Sequence, residues 1–94
     1  MIKSFKCRKT KDLYEDNFVS KFKAFEKVAR RKLEMLDASK SLLDLKSPSS
    51  NRLEMLRGNR KGTYSIRIND QLRLCFKWEK GNATDVEIVD YHKG

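Results

Sequence analysis

Thr63-Tyr64-Ser65-Ile66-Arg67-Ile68-Asn69-Asp70-Gln71-Leu72-Arg73-Leu74-Cys75-Phe76-Lys77-Trp78 reads as two alternating runs around a short polar break. Apolar residues at every second position give each run one buried face and one polar face, the pattern of a β-hairpin. The loop length decides which side chains meet. A two-residue Asn69-Asp70 loop sets Ile66 opposite Arg73 and mixes apolar with cationic residues throughout. A three-residue loop, Asn69-Asp70-Gln71, pairs Ile68 with Leu72, Ile66 with Leu74 and Tyr64 with Phe76. A slip of one residue moves every side chain to the other face, so burial selects the three-residue loop. Asn or Asp is expected at its left-handed position.

That register carries a chemical consequence. It opposes Arg67 and Arg73 on the polar face, beside Ser65, Cys75 and Lys77, all expected to be exposed. Two cations about 4 Å apart repel by about 4 kcal/mol at an effective dielectric of about 20. An anion-binding face offsets this repulsion. The competing readings are long side chains splayed into water, or neutralisation by Glu87 on a neighbouring strand.

Outward from the hairpin, Leu53 to Leu56 is a short candidate strand, and Gly58-Asn59-Arg60-Lys61-Gly62 forms a turn. Gly81-Asn82 marks another turn, and Asp85 to Tyr91 makes the last strand. Upstream, Ile2 to Phe5 reads as a brief strand. Thr10 is expected to cap a helix, and Tyr14, Phe18, Phe22, Phe25, Ala29, Leu33 and Leu36 form its apolar stripe through Asp37. Lys23, Lys27, Arg30 and Arg31 are assigned to its outer side, with Glu26 one turn from Arg30. Pro48 ends the helical half, leaving a connector rather than a domain boundary.

The chain has 94 residues, enough for a single domain spanning 1–94 with a modest core and a shallow site. Lys plus Arg total 22 against 13 acidic residues, a net charge of +9 that favours a polyanionic partner such as nucleic acid. Cys7 and Cys75 lie far apart without a C-x-x-C spacing, which suits a reducing compartment. The opening residues lack an apolar signal core, and no stretch approaches the ~18 apolar residues of a membrane span. The expected location is the cytoplasm, with no membrane partner. One histidine and two distant cysteines give no zinc spacing. No phosphate-loop glycine motif or serine elbow is present.

The run from Asn51 to Gly62, its continuation from Tyr64 to Phe76, and the closing Val89-Asp90-Tyr91-His92 resemble the HigB toxins, as does the opening Met1-Ile2-Lys3-Ser4-Phe5. The middle of the chain looks closest to the GraT-like branch of that family, and the resemblance spans nearly all of the sequence. It implies an α+β, RelE-like fold, with N-terminal helices packed on one face of a small, mainly antiparallel sheet. It further implies a type II toxin–antitoxin toxin, a ribosome-dependent endoribonuclease acting on mRNA, neutralised by a HigA-like helix-turn-helix antitoxin. The family's functional residues fall on Arg57, Arg73, Asp90, Tyr91 and His92. Position 54 departs from the pattern: many members carry histidine where this chain has Glu54, so an acid–base role there is lost or passes to a carboxylate.

RNA cleavage without a metal requires the 2′-hydroxyl to lose a proton, the phosphate to be stabilised and the 5′-oxygen to gain a proton. Arg57 and Arg73 suit the phosphate, because guanidinium meets its oxygens in a planar fork. Arg67, Lys77, Arg60 and Lys61 suit the RNA backbone. His92 has an unperturbed pKa near neutrality. Asp90 accepts a proton or orients that imidazole, and Tyr91 stacks on a base or donates a hydrogen bond. Strict alternation sends Asp90 toward the core face, but the strand is expected to be ending there, which leaves its direction open. The rival readings are a ParE-like inhibitor of DNA gyrase and a non-catalytic RNA-binding module.

Overall fold

A computed structural model describes residues 1–56, 58 and 62–90. Two helices, α1 (Arg8–Tyr14) and α2 (Glu26–Ala38), precede four strands: β1 (Glu54–Met55), β2 (Thr63–Arg67), β3 (Leu72–Glu79) and β4 (Asn82–Asp90). The strands form one antiparallel sheet in the order β1-β2-β3-β4. Short 3₁₀ turns at Ser20–Phe25, Leu42–Lys46 and Ser49–Asn51 fill the connections. The helices cover one face of the sheet, where Leu13, Phe22, Leu33 and Leu36 meet Ile66, Leu74, Phe76 and Val86. This is the α+β, RelE-like arrangement expected from the resemblance.

The β2–β3 hairpin adopts the register that burial selects, with Tyr64 opposite Phe76, Ile66 opposite Leu74 and Arg67 opposite Arg73. Its loop is held differently from the expected left-handed turn. None of Asn69, Asp70 and Gln71 has a positive φ. Instead Asn69 Oδ1 accepts hydrogen bonds from Gln71 N (2.8 Å) and Leu72 N (2.7 Å), so a side chain closes the turn.

The single helix expected from Thr10 to Asp37 is broken. After Tyr14, Asp16 adopts φ 71°, and the amides of Asp16 and Asn17 bond back to the carbonyls of Leu13 (3.1 Å) and Asp12 (2.9 Å). These are the two bonds of a Schellman motif, which stops a helix by satisfying its last carbonyls around a left-handed residue. Phe18 therefore leaves the stripe and stands 65 % exposed. Of the other stripe positions, Phe22, Ala29, Leu33 and Leu36 are buried, and Tyr14 and Phe25 are half-buried against the core. Arg30, assigned to the outer side, instead straps the break: its guanidinium bonds to Leu13 O (3.2 Å), Asn17 O (3.1 Å) and Glu26.

Thr10 is not a cap. Helix α1 begins after Cys7, and Thr10 lies buried inside it with its hydroxyl accepting Ile88 N at 3.0 Å. The Ile2–Phe5 segment forms isolated parallel bridges, Ile2 with Ala83 and Phe5 with Val86, rather than a full strand. Segment and hydroxyl together satisfy the outer edge of β4, an edge that would otherwise offer free backbone donors. Thr10→Val keeps the shape and removes the acceptor. It is expected to cost about 1–3 kcal/mol, the penalty of a buried amide left unpaired, and Thr10→Ser is expected to cost less. Urea denaturation midpoints check both.

Candidate functional site

The face of the sheet turned away from the helices is organised by register. Glu54, Ser65, Cys75 and Glu87 make one row across the four strands. Arg67, Arg73 and Val89 make the next row toward the hairpin loop, and Thr63, Lys77 and Thr84 the next in the other direction. Ser65 and Cys75 were expected to be exposed on this face, but they are 0 % and 1 % accessible. Longer neighbours roof them: the Arg73 side chain folds back so that its Nε donates to Ser65 Oγ at 2.8 Å.

Arg73 is held on several sides. Its Nη2 lies 3.0 Å from Glu54 Oε1 and donates to the Arg52 carbonyl at 2.6 Å and the Ser65 carbonyl at 3.3 Å. Only 14 % of the side chain remains accessible, and among the described residues Nη1 has no hydrogen-bond partner. Arg52 presents its carbonyl from a left-handed conformation, φ 47°, that ends the Ser49–Asn51 turn. Arg67, opposite Arg73, pairs instead with Asp70. The repulsion between the two arginines is thus offset within the chain by separate carboxylates, Glu54 and Asp70, and does not require a bound anion. Glu87, the expected neutraliser, faces Cys75 and pairs with Lys6 at 3.9 Å.

The other expected site residues are spread more widely. Lys77 sits four residues along β3 from Arg73, roughly 13 Å at the usual strand rise, with its ammonium 3.6 Å from Asp85. Strand β4 continues through Asp90, so alternation holds and Asp90 shares the Leu72 face rather than the Arg73 face. It accepts a hydrogen bond from Gln71 Nε2 at 3.1 Å. Arg57, Arg60, Lys61, Tyr91 and His92 lie outside the described residues, and with them the convergence expected of Arg57 and Arg73. Among the described residues no three histidine, cysteine or carboxylate side chains gather into a metal-ligating group.

Two contributors to this site were not singled out from sequence. From sequence Ser65 reads as a face residue and not as the anchor of Arg73. The pairing of Glu54 with Ser65 depends on the register of a two-residue strand, which alternation does not fix. The Arg52 carbonyl carries no sequence signal, because any residue supplies one.

Two helices packed on one face of a four-stranded antiparallel sheet fit the α+β architecture of the RelE-like toxins. A family model described as the RelE-like toxin of the type II toxin–antitoxin system HigB matches residues 3–92, and the chain belongs to that HigB-like family. It is 41 % identical to Toxin HigB-1 of Vibrio cholerae serotype O1 over 99 % of both chains. It is 32 % identical to Endoribonuclease HigB of Proteus vulgaris, covering 98 % of this chain and 100 % of the relative. In fold it is similar to a chain of the YoeB–YefM complex from Staphylococcus aureus, with a TM-score of 0.60 at 20 % identity and 99 % coverage of both. The YoeB dimer from the same organism gives 0.56, also at 20 % identity, over 98 % of both chains.

The anchoring of Arg73 separates its structural from its chemical worth. Glu54→Gln removes an ion pair whose carboxylate is largely exposed and is expected to change stability by less than about 1 kcal/mol. Arg73→Met leaves the buried Ser65 hydroxyl without its partner and is expected to cost about 1–3 kcal/mol. Urea unfolding of both variants measures the difference.

Proposed function

We propose that this toxin is a ribosome-dependent endoribonuclease that cleaves mRNA in the ribosomal A site and so inhibits translation. The observation that carries this reading is the Arg73 guanidinium. Ser65, Glu54 and the Arg52 carbonyl hold it, leaving one nitrogen without a described partner on an open face. A donor oriented before its ligand arrives stabilises charge that grows in the transition state without reorganising at that moment. A relative named Endoribonuclease HigB supports an RNA substrate over the gyrase reading.

The reaction is attack of a 2′-hydroxyl on the adjacent phosphate, with no metal required. Arg73 and Arg57 take the phosphate oxygens. Glu54, with Oε1 3.0 Å from Arg73, is a carboxylate held beside the charge and suited to accept the 2′-hydroxyl proton. His92, Asp90 and Tyr91 supply or orient the proton for the leaving 5′-oxygen. Lys77, Arg60 and Lys61 follow the backbone. A shallow site on a sheet face cannot by itself impose in-line geometry on a flexible strand, and the ribosome supplies that order. The neutralising partner is a HigA-like helix-turn-helix antitoxin, and the setting is the cytoplasm. The fold neighbour solved as a YoeB–YefM complex supports an antitoxin partner as such.

The test incubates message alone and message with translating ribosomes. Cleavage is expected only with ribosomes, and Arg73→Ala is expected to lower it by ~10²–10³ while Arg73→Lys, which keeps the charge but not the fork, recovers part. Equal cutting of free message overturns ribosome dependence. Ribosome binding without any cut message overturns catalysis in favour of the non-catalytic reading.

A further inference from the structure

Arg67 leaves its cross-strand neighbour and borders a different recess. This recess, about 390 Å³, lies between α2, the Ser49–Asn51 turn and the end of β2, and its polar lining is Arg31, Lys32, Ser50 and Arg67. Lys32 is the unusual member. It is 9 % accessible, and its ammonium donates to Asn51 Oδ1, a neutral acceptor. Asn51 is wholly buried and directs its own amide to Leu45 O (3.0 Å) and Met35 Sδ (3.2 Å). No carboxylate is among the described residues lining the recess, and the Asp70 that pairs with Arg67 is itself fully exposed. Arg31 makes no ion pair with any described residue. A buried ammonium without a carboxylate, flanked by two guanidinium groups, is costly for a folded chain to hold. Burial pushes Lys32 below the usual lysine range, and the charges of Arg31 and Arg67 push it the same way.

We propose that this recess is a phosphate subsite, in which Arg31, Lys32 and Arg67 hold a backbone phosphate of RNA separate from the one assigned to Arg73. Three cationic residues and a serine lining one opening suit a tetrahedral, multiply accepting anion better than a planar carboxylate. A backbone phosphate is favoured over a free one because the recess does not end there. Val28 and Arg31 also line a neighbouring groove of about 590 Å³ that carries Lys23 of the Ser20–Phe25 turn and Lys27 of α2, so cations continue beyond the recess. Arg67 is also the cross-strand neighbour of Arg73, which lets one strand reach both places. RNA as the source follows from the nuclease reading; the phosphate site does not depend on it.

The test uses the full chain and a short 2′-O-methyl oligoribonucleotide, which lacks the attacking hydroxyl, so binding is read whether or not the protein cleaves. Fluorescence anisotropy across a salt series is expected to show Lys32→Met and Arg31→Gln each binding several-fold more weakly. For each phosphate-neutralising cation removed, the slope of log affinity against log salt is expected to fall by about 0.7, the value for single strands. Lys9→Gln, on α1, is expected to leave the slope unchanged. Inorganic phosphate is expected to raise the Tm of the parent chain and to lose that effect in both pocket variants. Arg31 is exposed, so its variant reads the site even where Lys32→Met fails to fold. Unchanged slopes and affinities in the pocket variants overturn the proposal. Phosphate stabilisation with unchanged RNA slopes overturns RNA as the source. Competition by oligoglutamate with no response to phosphate overturns it in favour of an acidic protein. Binding as expected with no cleavage on ribosomes leaves the subsite standing and sinks the nuclease reading alone.

Discussion

Asn69 Oδ1 accepts two backbone amides across the β2–β3 loop, and the register this turn closes governs both faces of the sheet. On one face it brings Ile66, Leu74 and Phe76 under the helices. On the other it sets Arg67 against Arg73, a juxtaposition a sheet ordinarily avoids because like charges directly opposite are destabilising. The rest of the open face is arranged around that cost. Glu54 comes from β1 to one arginine, and Asp70 comes from the loop to the other. Each guanidinium is drawn toward its own carboxylate, so the two serve different parts of the surface.

The two edges of the sheet are finished unequally. Along β4 the N-terminal segment bonds to Ala83 and Val86, and Thr10 takes the Ile88 amide. That edge is closed, and the Schellman stop and Arg30 strap after α1 secure the chain that closes it. Strand β1 at the opposite edge has only two residues, Glu54 and Met55. There the backbone is free to contribute to a site, as the Arg52 carbonyl does. Loops and short edges beside a rigid sheet are where binding groups gather, because the scaffold positions them without having to bury them.

Arg73 and Lys32 illustrate two ways of holding a cation. Arg73 is ringed by partners of opposite or complementary polarity, which fixes its orientation and limits the cost of taking it partly out of water. Lys32 is more deeply enclosed, has one neutral acceptor among the described residues, and faces two like charges. The first arrangement is complete without a ligand and orients a donor for one. The second is electrostatically incomplete.

Much of the molecule was legible in the sequence. Alternation between Thr63 and Trp78, together with the need to bury one face, determined the hairpin register and hence the Arg67–Arg73 opposition. The net charge pointed to a polyanion, and the stretch from Asn51 to Phe76 carried the family likeness. Periodicity failed at Phe18, because spacing alone cannot report a left-handed Asp16 that ends the helix four residues after Asp12. It also failed at Thr10, whose hydroxyl answers an amide 78 residues away. Only the tertiary structure decided that Glu54, Ser65 and the Arg52 carbonyl hold Arg73, that Asp90 follows Leu72 onto the other face, and that Lys32 lies buried beside Arg67. Local pattern encodes which way a side chain faces within its own element. Which partner it meets there depends on elements that approach only when the chain folds.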